Sequence, residues 1–321
     1  MSEQKSGRKC VCVVVPTYNE EENVLPLHAA ITEQFQKNLP QYDYEILFID
    51  NHSSDATRER LVALCESDAH VKAIFNAANF GQFNSPYYGL CQSTGDCAVL
   101  LCADFQDPVE LIPTLVERWE QGHAVVCAVK EKSKENPLVR LARTCYYKLL
   151  CRTSRVKQIE HFTGFGLYDR TFIETLAAWE DPAPYLRGIV AELAPDHAVV
   201  PYVQQRRRAG KSANNLSTLY DVAMQGFTTY TKTPVRLMML CGLVLLLASL
   251  SGGVFSLVQY STKGKCALAL LLCGIGLVGA LNLIGLSILG EYLLTLRDKS
   301  VKRPLVIEEK RIGFEHKQDG L

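Results

Sequence analysis

Two apolar stretches near the C-terminus, Val235–Val258 and Cys266–Leu289, constrain this chain more than any other feature. Each is about 24 residues long, and the only charge in either is Arg236, at the start of the first. A helix needs about 20 apolar residues to cross a bilayer core, so length predicts two membrane spans in preference to a buried soluble hairpin. The linking loop, Gln259–Lys265, is short and carries Lys263 and Lys265. Outside it lie Lys232, Arg236, Arg297, Lys299, Lys302 and Arg303, six cations against two. That bias predicts a hairpin in the cell inner membrane with both chain ends on the cytoplasmic side. Just upstream, Leu216, Leu219, Val222, Ala223 and Phe227 recur at roughly helical spacing. This reads as an amphipathic helix lying along the membrane interface, with a core helix of the preceding domain as the alternative. The resulting division is a cytoplasmic domain over 1–214, an interfacial helix over 215–233, two spans within 234–290, and a cytoplasmic tail over 291–321.

At the other end, the apolar run Val11–Val15 stops at Pro16 after five residues. A secretory h-region needs roughly 7–15, so the run reads as a buried strand and the large domain is expected to stay cytoplasmic. The chain has 34 basic and 34 acidic residues, a balance that points to no nucleic-acid partner. None of its 12 cysteines forms a Cys-x-x-Cys pair, and its 7 histidines are scattered. Clustered ligands for zinc are missing, and the thiols are expected to be reduced and structural.

Short β-rich runs alternate with helical patterns through the first half. Strands are expected at Val11–Val15, Glu45–Ile49, Val71–Phe75, Ala98–Leu101 and Ala124–Val129. Between them helices are expected at Glu20–Gln36 (Asn19 as N-cap and Glu22 completing a capping box), Ala56–Cys65 (capped by Asp55), Ser85–Gln92, and Val109–Gln121 (opened by Pro108). This alternation implies an α/β domain built on a mostly parallel sheet with helices on both faces. Ligands of such sheets sit at the carboxyl ends of the strands, here Pro16–Glu20, Asp50–Ser54 and Cys102–Asp107. An acidic side chain at a strand end can hold Mg²⁺ or Mn²⁺ against a diphosphate leaving group, but an isolated Asp in a turn is more often a cap.

The company of the fourth strand end changes that balance. VVPTYNEEENV at Val14–Val24, FIDNHSSDAT at Phe48–Thr57, NFGQ at Asn79–Gln82 and ADFQDP at Ala103–Pro108 occur in this order and spacing. Together they resemble glycosyltransferase family 2, which implies the GT-A fold, a Rossmann-like mixed sheet of the nucleotide-diphospho-sugar transferases. TGFGLYD at Thr163–Asp169, PYLRG at Pro184–Gly188, RRAGKS at Arg207–Ser212, the two spans, Gly290-Glu-Tyr and Arg303-Pro look like the polyprenyl-phosphate branch, which includes bactoprenol glucosyltransferases and is related to dolichyl-phosphate mannose synthases. The resemblance covers nearly the whole chain.

It implies that Pro16, Tyr18, Glu20 and Asp50 bind the nucleotide-sugar, with Asp50 accepting a hydrogen bond from the base. It places the metal, Mg²⁺ or Mn²⁺, on Asp104, with Gln106 beside it supporting a phosphate. Lys130, Arg140, Arg207, Lys211 and Ser212 fall where the acceptor phosphate is bound; for the basic run, contact with anionic lipid is the competing reading. The implied reaction is inverting transfer of a hexose, UDP-glucose being the favoured donor, to a polyprenyl phosphate. That acceptor, with a second pKa near 6, is already a nucleophile at neutral pH and needs positioning more than a general base. Transfer to a glycan or lipid hydroxyl, and a non-catalytic membrane scaffold, are the alternatives. Three positions depart from the family pattern: Cys102 replaces the first acid of Asp-x-Asp, Gly164 and Gly166 flank Phe165 where many members carry Gly-Asp-Phe-Arg, and Ala78 stands where an Arg often precedes Asn-Phe-Gly. Gly252-Gly253 and Gly274–Gly279 would let helices approach closely, which leaves a homo-oligomer open.

Overall fold

A computed structural model describes residues 7–132, 159–179, 181, 184–205, 207–208 and 304–314, with scattered helical positions between 224 and 296. One eight-stranded sheet runs in the order β7-β5-β6-β4-β1-β2-β3-β8. Its strands are β1 (Cys10–Thr17), β2 (Asp43–Asp50), β3 (Val71–Asn76), β4 (Cys97–Leu100), β5 (Val125–Lys132), β6 (Phe162–Asp169), β7 (Ala198–Val203) and β8 (Glu308–Ile312). The helices are α1 (Glu21–Asn38), α2 (Thr57–Ser67), α3 (Gly81–Gln92), α4 (Ile112–Glu120), α5 (Arg170–Trp179) and α6 (Leu186–Leu193).

The unbroken apolar run in β1 follows from burial on both sides. Val11, Val13 and Val15 face one core with Leu27, Ile31 and Phe35 of α1, Leu61 of α2 and Leu115 of α4. Cys12 and Val14 face the other, with Tyr87 and Leu90 of α3, Ile173 and Leu176 of α5 and Ile189 of α6. Such two-faced burial is typical of parallel strands, and β1 pairs parallel with both β2 and β4. The sheet is nonetheless mixed: β6 runs antiparallel between β4 and β5, and β8 runs antiparallel along β3. All described cysteines are free, and Cys12, Cys97 and Cys127 are buried.

Three local expectations need correction. Asn19 does not cap α1: the helix starts after Glu20 without a side-chain cap, and Asn19 adopts φ +56°. Its side-chain oxygen is taken by the Ser54 amide at 2.8 Å, so it ties two loops together. The helix expected over Val109–Gln121 is split into a 3-10 turn at Val109–Leu111 and α4. Pro113, in the first turn of α4, has no amide hydrogen to bond the Val109 carbonyl and would crowd it. Asp55 is not the N-cap of α2 either: that position is Ala56, without a side-chain cap, and Asp55 one residue earlier accepts the Thr57 amide at 3.0 Å. The interfacial helix and both spans fall almost wholly outside the described residues. Among the described residues, no helix is long and apolar enough to cross a membrane.

At Gly166 in β6 a Cβ would lie 2.3 Å from the Val126 carbonyl oxygen of β5. That contact is backbone against backbone and cannot be relieved by a rotamer. Gly166→Ala is predicted to cost about 3 kcal/mol or more, seen as loss of soluble folded protein or a strongly lowered thermal midpoint.

Candidate active site

The carboxyl ends of β1, β2 and β4 open at one edge of the sheet, and each is followed by a non-glycine residue in the left-handed region: Asn19 (φ +56°), His52 (φ +66°) and Phe105 (φ +58°). That conformation costs about 1–2 kcal/mol per residue and persists where surrounding contacts over-determine it, often at functional sites. Here the contacts are explicit. The Asn19 amide donates to Ser53 Oγ at 2.9 Å and the Glu20 amide to Thr57 Oγ1 at 2.9 Å. The Asn51 side-chain oxygen accepts the Phe80 amide at 2.9 Å and Asn76 Nδ2 at 3.2 Å, while its Nδ2 donates to Asn79 Oδ1 at 2.9 Å. The Asn79–Gln82 segment is thus bound to the end of β2.

At the end of β4, Asp104 is only 8% exposed. One of its oxygens accepts the Gln106 amide at 3.0 Å, and the other accepts Arg207 Nη2 at 2.9 Å. Arg207 Nη1 lies 4.0 Å from Glu20 Oε1, so one guanidinium stands between two carboxylates. Burial raises the Glu20 pKa, against a hydrogen bond from Asn23 and the charge of Arg207. The segment carrying Arg207 is laid along the acidic turn: the Gln205 amide donates to the Gln106 carbonyl at 3.1 Å, Gln204 Nε2 to Gln106 Oε1 at 3.0 Å, and the Arg208 amide to the Asp104 carbonyl at 3.4 Å. The Arg208 guanidinium covers the Phe105 ring at 5.3 Å. Asp107, buried behind, accepts a short hydrogen bond from Tyr202. Burial raises its pKa, while Tyr202 and the positive charge of Lys130 act in the opposite sense.

At the end of β2, Asp50 is fully buried. Oδ2 accepts the Ser53 amide at 3.1 Å and lies 3.5 Å from Arg58 Nε. Oδ1 is buried and has no hydrogen-bond partner among the described residues. Burial raises the Asp50 pKa despite Ser53 and Arg58. A buried acceptor left open costs roughly 1–3 kcal/mol, so this atom is a ready position for a ligand N–H.

The structure therefore gathers Glu20, Asp104, Gln106 and Arg207 into one cluster, with Lys130 acting on Asp107 behind it. Asp50 sits on the neighbouring strand end, beside Pro16 and Thr17 in register with Ile49 and Asp50. Tyr18 is exposed at the rim. Arg140, Lys211 and Ser212 lie outside the described residues. Arg58, Asn51, Tyr202 and Gln204 escaped the sequence reading. Asn51 and Arg58 lie in or next to a motif that was noticed, but nothing in the sequence distinguishes them from surface residues. Asp169, directly before α5, accepts the Thr171 amide at 2.9 Å.

Whether this donor set suits a divalent cation can be judged from its chemistry. Among the described residues no group of three His, Cys, Asp or Glu could enclose a metal. Asp104 supplies one hard carboxylate, and Cys102 is a thiol that Mg²⁺ avoids. Mg²⁺ is commonly held by one or two carboxylates, with water and substrate phosphates completing the shell. The site fits a metal of that shared kind and not an all-protein cage.

The sequence profile described as Glycosyl transferase family 2 matches residues 12–194. A prophage bactoprenol glucosyl transferase homolog of Escherichia coli (strain K12) is 31% identical over 92% of this chain and 97% of its own length. The bactoprenol glucosyl transferase of Shigella phage SfX is 32% identical over 94% and 99%. Among solved structures, glucosyl-3-phosphoglycerate synthase from Mycobacterium tuberculosis aligns with a TM-score of 0.47 at 17% identity, covering 69% of this chain and 78% of that one.

Replacing Asp50 should separate binding from stability. A carboxyl whose folded pKa is raised stabilises the fold only when protonated; that contribution is lost as pH rises through the folded pKa, so ionised Asp50 costs stability at neutral pH. Asp50→Asn is predicted to melt at or above the parent temperature at pH 7, by calorimetry, while its affinity for the donor nucleotide falls at least tenfold.

Proposed function

This chain belongs to glycosyl transferase family 2 and is a glycosyltransferase, and from that premise we propose that it transfers a hexose, UDP-glucose being the favoured donor, to a polyprenyl phosphate at the cytoplasmic membrane face with inversion at the anomeric carbon. The observation that carries this reading is the meeting of Asp104, Gln106 and Arg207 at the end of β4. A carboxylate suited to a cation and a guanidinium suited to phosphate converge there beside an open nucleobase acceptor on Asp50. The two relatives named above act, by name, on bactoprenol, and both align along nearly their entire length.

Asp104 would hold Mg²⁺ or Mn²⁺, with Gln106 next to it. The metal, when bound, offsets the negative charge of the diphosphate and so eases its departure. The chain's own residues do the rest. Asp50 orients the nucleotide through its base. Arg207, with Arg208 next to it on the same strap, supplies positive charge where two phosphate groups must approach each other, and Lys130 adds to that field from the adjoining strand. An oxygen of the acceptor phosphate forms the new bond to the anomeric carbon as the bond to the diphosphate oxygen breaks. No proton has to be removed from a dianionic phosphate, which suits a cluster whose carboxylates are engaged by Arg207, Gln106 and Tyr202.

The membrane part of the proposal rests on sequence and on the described helical positions in the C-terminal region. Leu240, Val244, Ile275, Leu286, Leu293 and Leu296 are helical there and leave 58–65% of their surface uncovered by protein. Lipid would cover such side chains at no desolvation cost. The same hairpin would keep the acceptor's phosphate near the cytoplasmic domain.

The test is direct. Membranes containing the full chain, supplied with undecaprenyl phosphate and a panel of nucleotide sugars, should form a lipid-linked hexose from UDP-glucose, detected by mass spectrometry. Asp104→Asn should lower turnover by about 10²-fold or more with an unchanged circular dichroism spectrum. Absence of any lipid-linked sugar with every donor would refute the acceptor assignment.

A further inference from the structure

The edge of the sheet beside the nucleotide end of β2 is built by the far end of the chain. Residues 308–312 follow both apolar stretches, yet β8 pairs with β3, and the Ala77 amide donates to the Ile307 carbonyl at 2.9 Å. The strand is also fastened to α3: Tyr88 donates to Glu308 at 2.9 Å and Arg311 to Gln92 at 2.8 Å. One contact from this strand reaches towards the site. Glu309 accepts Arg58 Nη2 at 2.6 Å across 251 residues of sequence, and Nε of the same guanidinium lies 3.5 Å from Asp50 Oδ2. Arg58 lies over the Phe75 ring of β3 at 5.2 Å, and Lys310 of β8 lies over that ring at 4.8 Å.

We propose that Glu309 and Arg58 are positioning residues for the donor nucleotide: the C-terminal strand fixes Arg58, Arg58 fixes Asp50, and Asp50 thereby keeps its free oxygen turned to the nucleobase. This rests on the reading of Asp50 as the base acceptor. The physical need is clear from its surroundings. Asp50 is wholly buried, and its charge is met by the side chain and amide of Ser53, by the main chain of His52, and by Arg58 of α2, the one full positive charge among them. Beyond Arg58, β8 brings Glu309 and Lys310, with His52 nearby in the loop after β2. Without the guanidinium, a buried carboxylate takes up a proton more readily, and a protonated oxygen meets a base N–H with the wrong polarity. Arg58 lies against a ring and is held at two of its nitrogens, so its position is set by groups from α2, β3 and β8 together. Docking of a strand that follows the two apolar stretches thus contributes to donor recognition.

The experiment uses full-length protein, with UDP binding measured by titration calorimetry and kinetics measured against donor and acceptor separately. Glu309→Gln, an isosteric change at an exposed position, should raise the UDP dissociation constant and the donor KM about two- to fivefold, the range for a single exposed ion pair. The effect should fall on donor KM and not on kcat or acceptor KM, and Glu309→Asp should recover part of it. Arg58→Gln should raise the same constants about tenfold or more, and more at pH 6 than at pH 8. In the Arg58→Gln background, Glu309→Gln should add nothing, since the two act as one unit. Unchanged UDP affinity in Glu309→Gln, or full additivity in the double variant, would overturn the relay. If Asp50→Asn also binds UDP normally, the base-acceptor reading itself falls; if it loses UDP while the Glu309 and Arg58 variants do not, only the relay falls.

Discussion

Every central strand of this sheet is covered on both faces, and that leaves polar groups one place to gather. With Val11, Val13 and Val15 facing one layer of helices and Cys12 and Val14 the other, no side chain of β1 before Pro16 can serve a ligand. Chemistry is confined to the strand ends, where the chain leaves the sheet and main-chain amides become available. The left-handed residues Asn19, His52 and Phe105 mark three of those exits. At the first two exits the chain is held by a mesh of hydrogen bonds among Asn19, Ser53, Ser54, Thr57 and Asp55, in which the neighbouring loops stabilise each other. A change in one exit loop is therefore felt in the next.

Within that frame the site is organised by charge held out of water. Arg207 stands between Asp104 and Glu20, and Arg58 between Asp50 and Glu309. Each guanidinium is supplied by an element distant in sequence from a carboxylate it serves. Each also fixes a carboxylate that would otherwise be a costly buried charge. The two arrangements differ in what they leave open. Asp104 has both oxygens engaged, so a ligand there must compete with Arg207 and can take the guanidinium in exchange. Asp50 keeps one oxygen unpaired and needs only a donor of matching polarity.

Much of this was legible in the amino-acid order. The run Val11–Val15, the alternation of strand and helix patterns, and the acidic turn at Ala103–Pro108 announced an α/β domain with its ligands at strand ends, because side-chain periodicity and turn chemistry are local properties. Asp50, Asp104 and Gln106 stood out through the motifs that hold them, which resemble glycosyltransferase family 2; strand-end position alone would have left such an Asp as a cap. Asn19 misled, since the signature of a helix cap and that of a loop tie are the same residue in the same place. Pro113 divides the fourth helical segment, because a proline in that turn leaves the Val109 carbonyl without its helical amide partner.

Composition, spacing and charge bias by themselves determined the class of fold, the strand ends that could carry chemistry, and the expectation of a membrane hairpin. Only tertiary structure decided that β6 and β8 enter the sheet antiparallel, that Arg207 closes on Asp104, and that Glu309 reaches Arg58. The reason is physical: a strand's neighbours and an ion pair's partner depend on which distant surfaces pack together. Apolar burial over the entire domain sets that packing, and no short stretch of sequence encodes it.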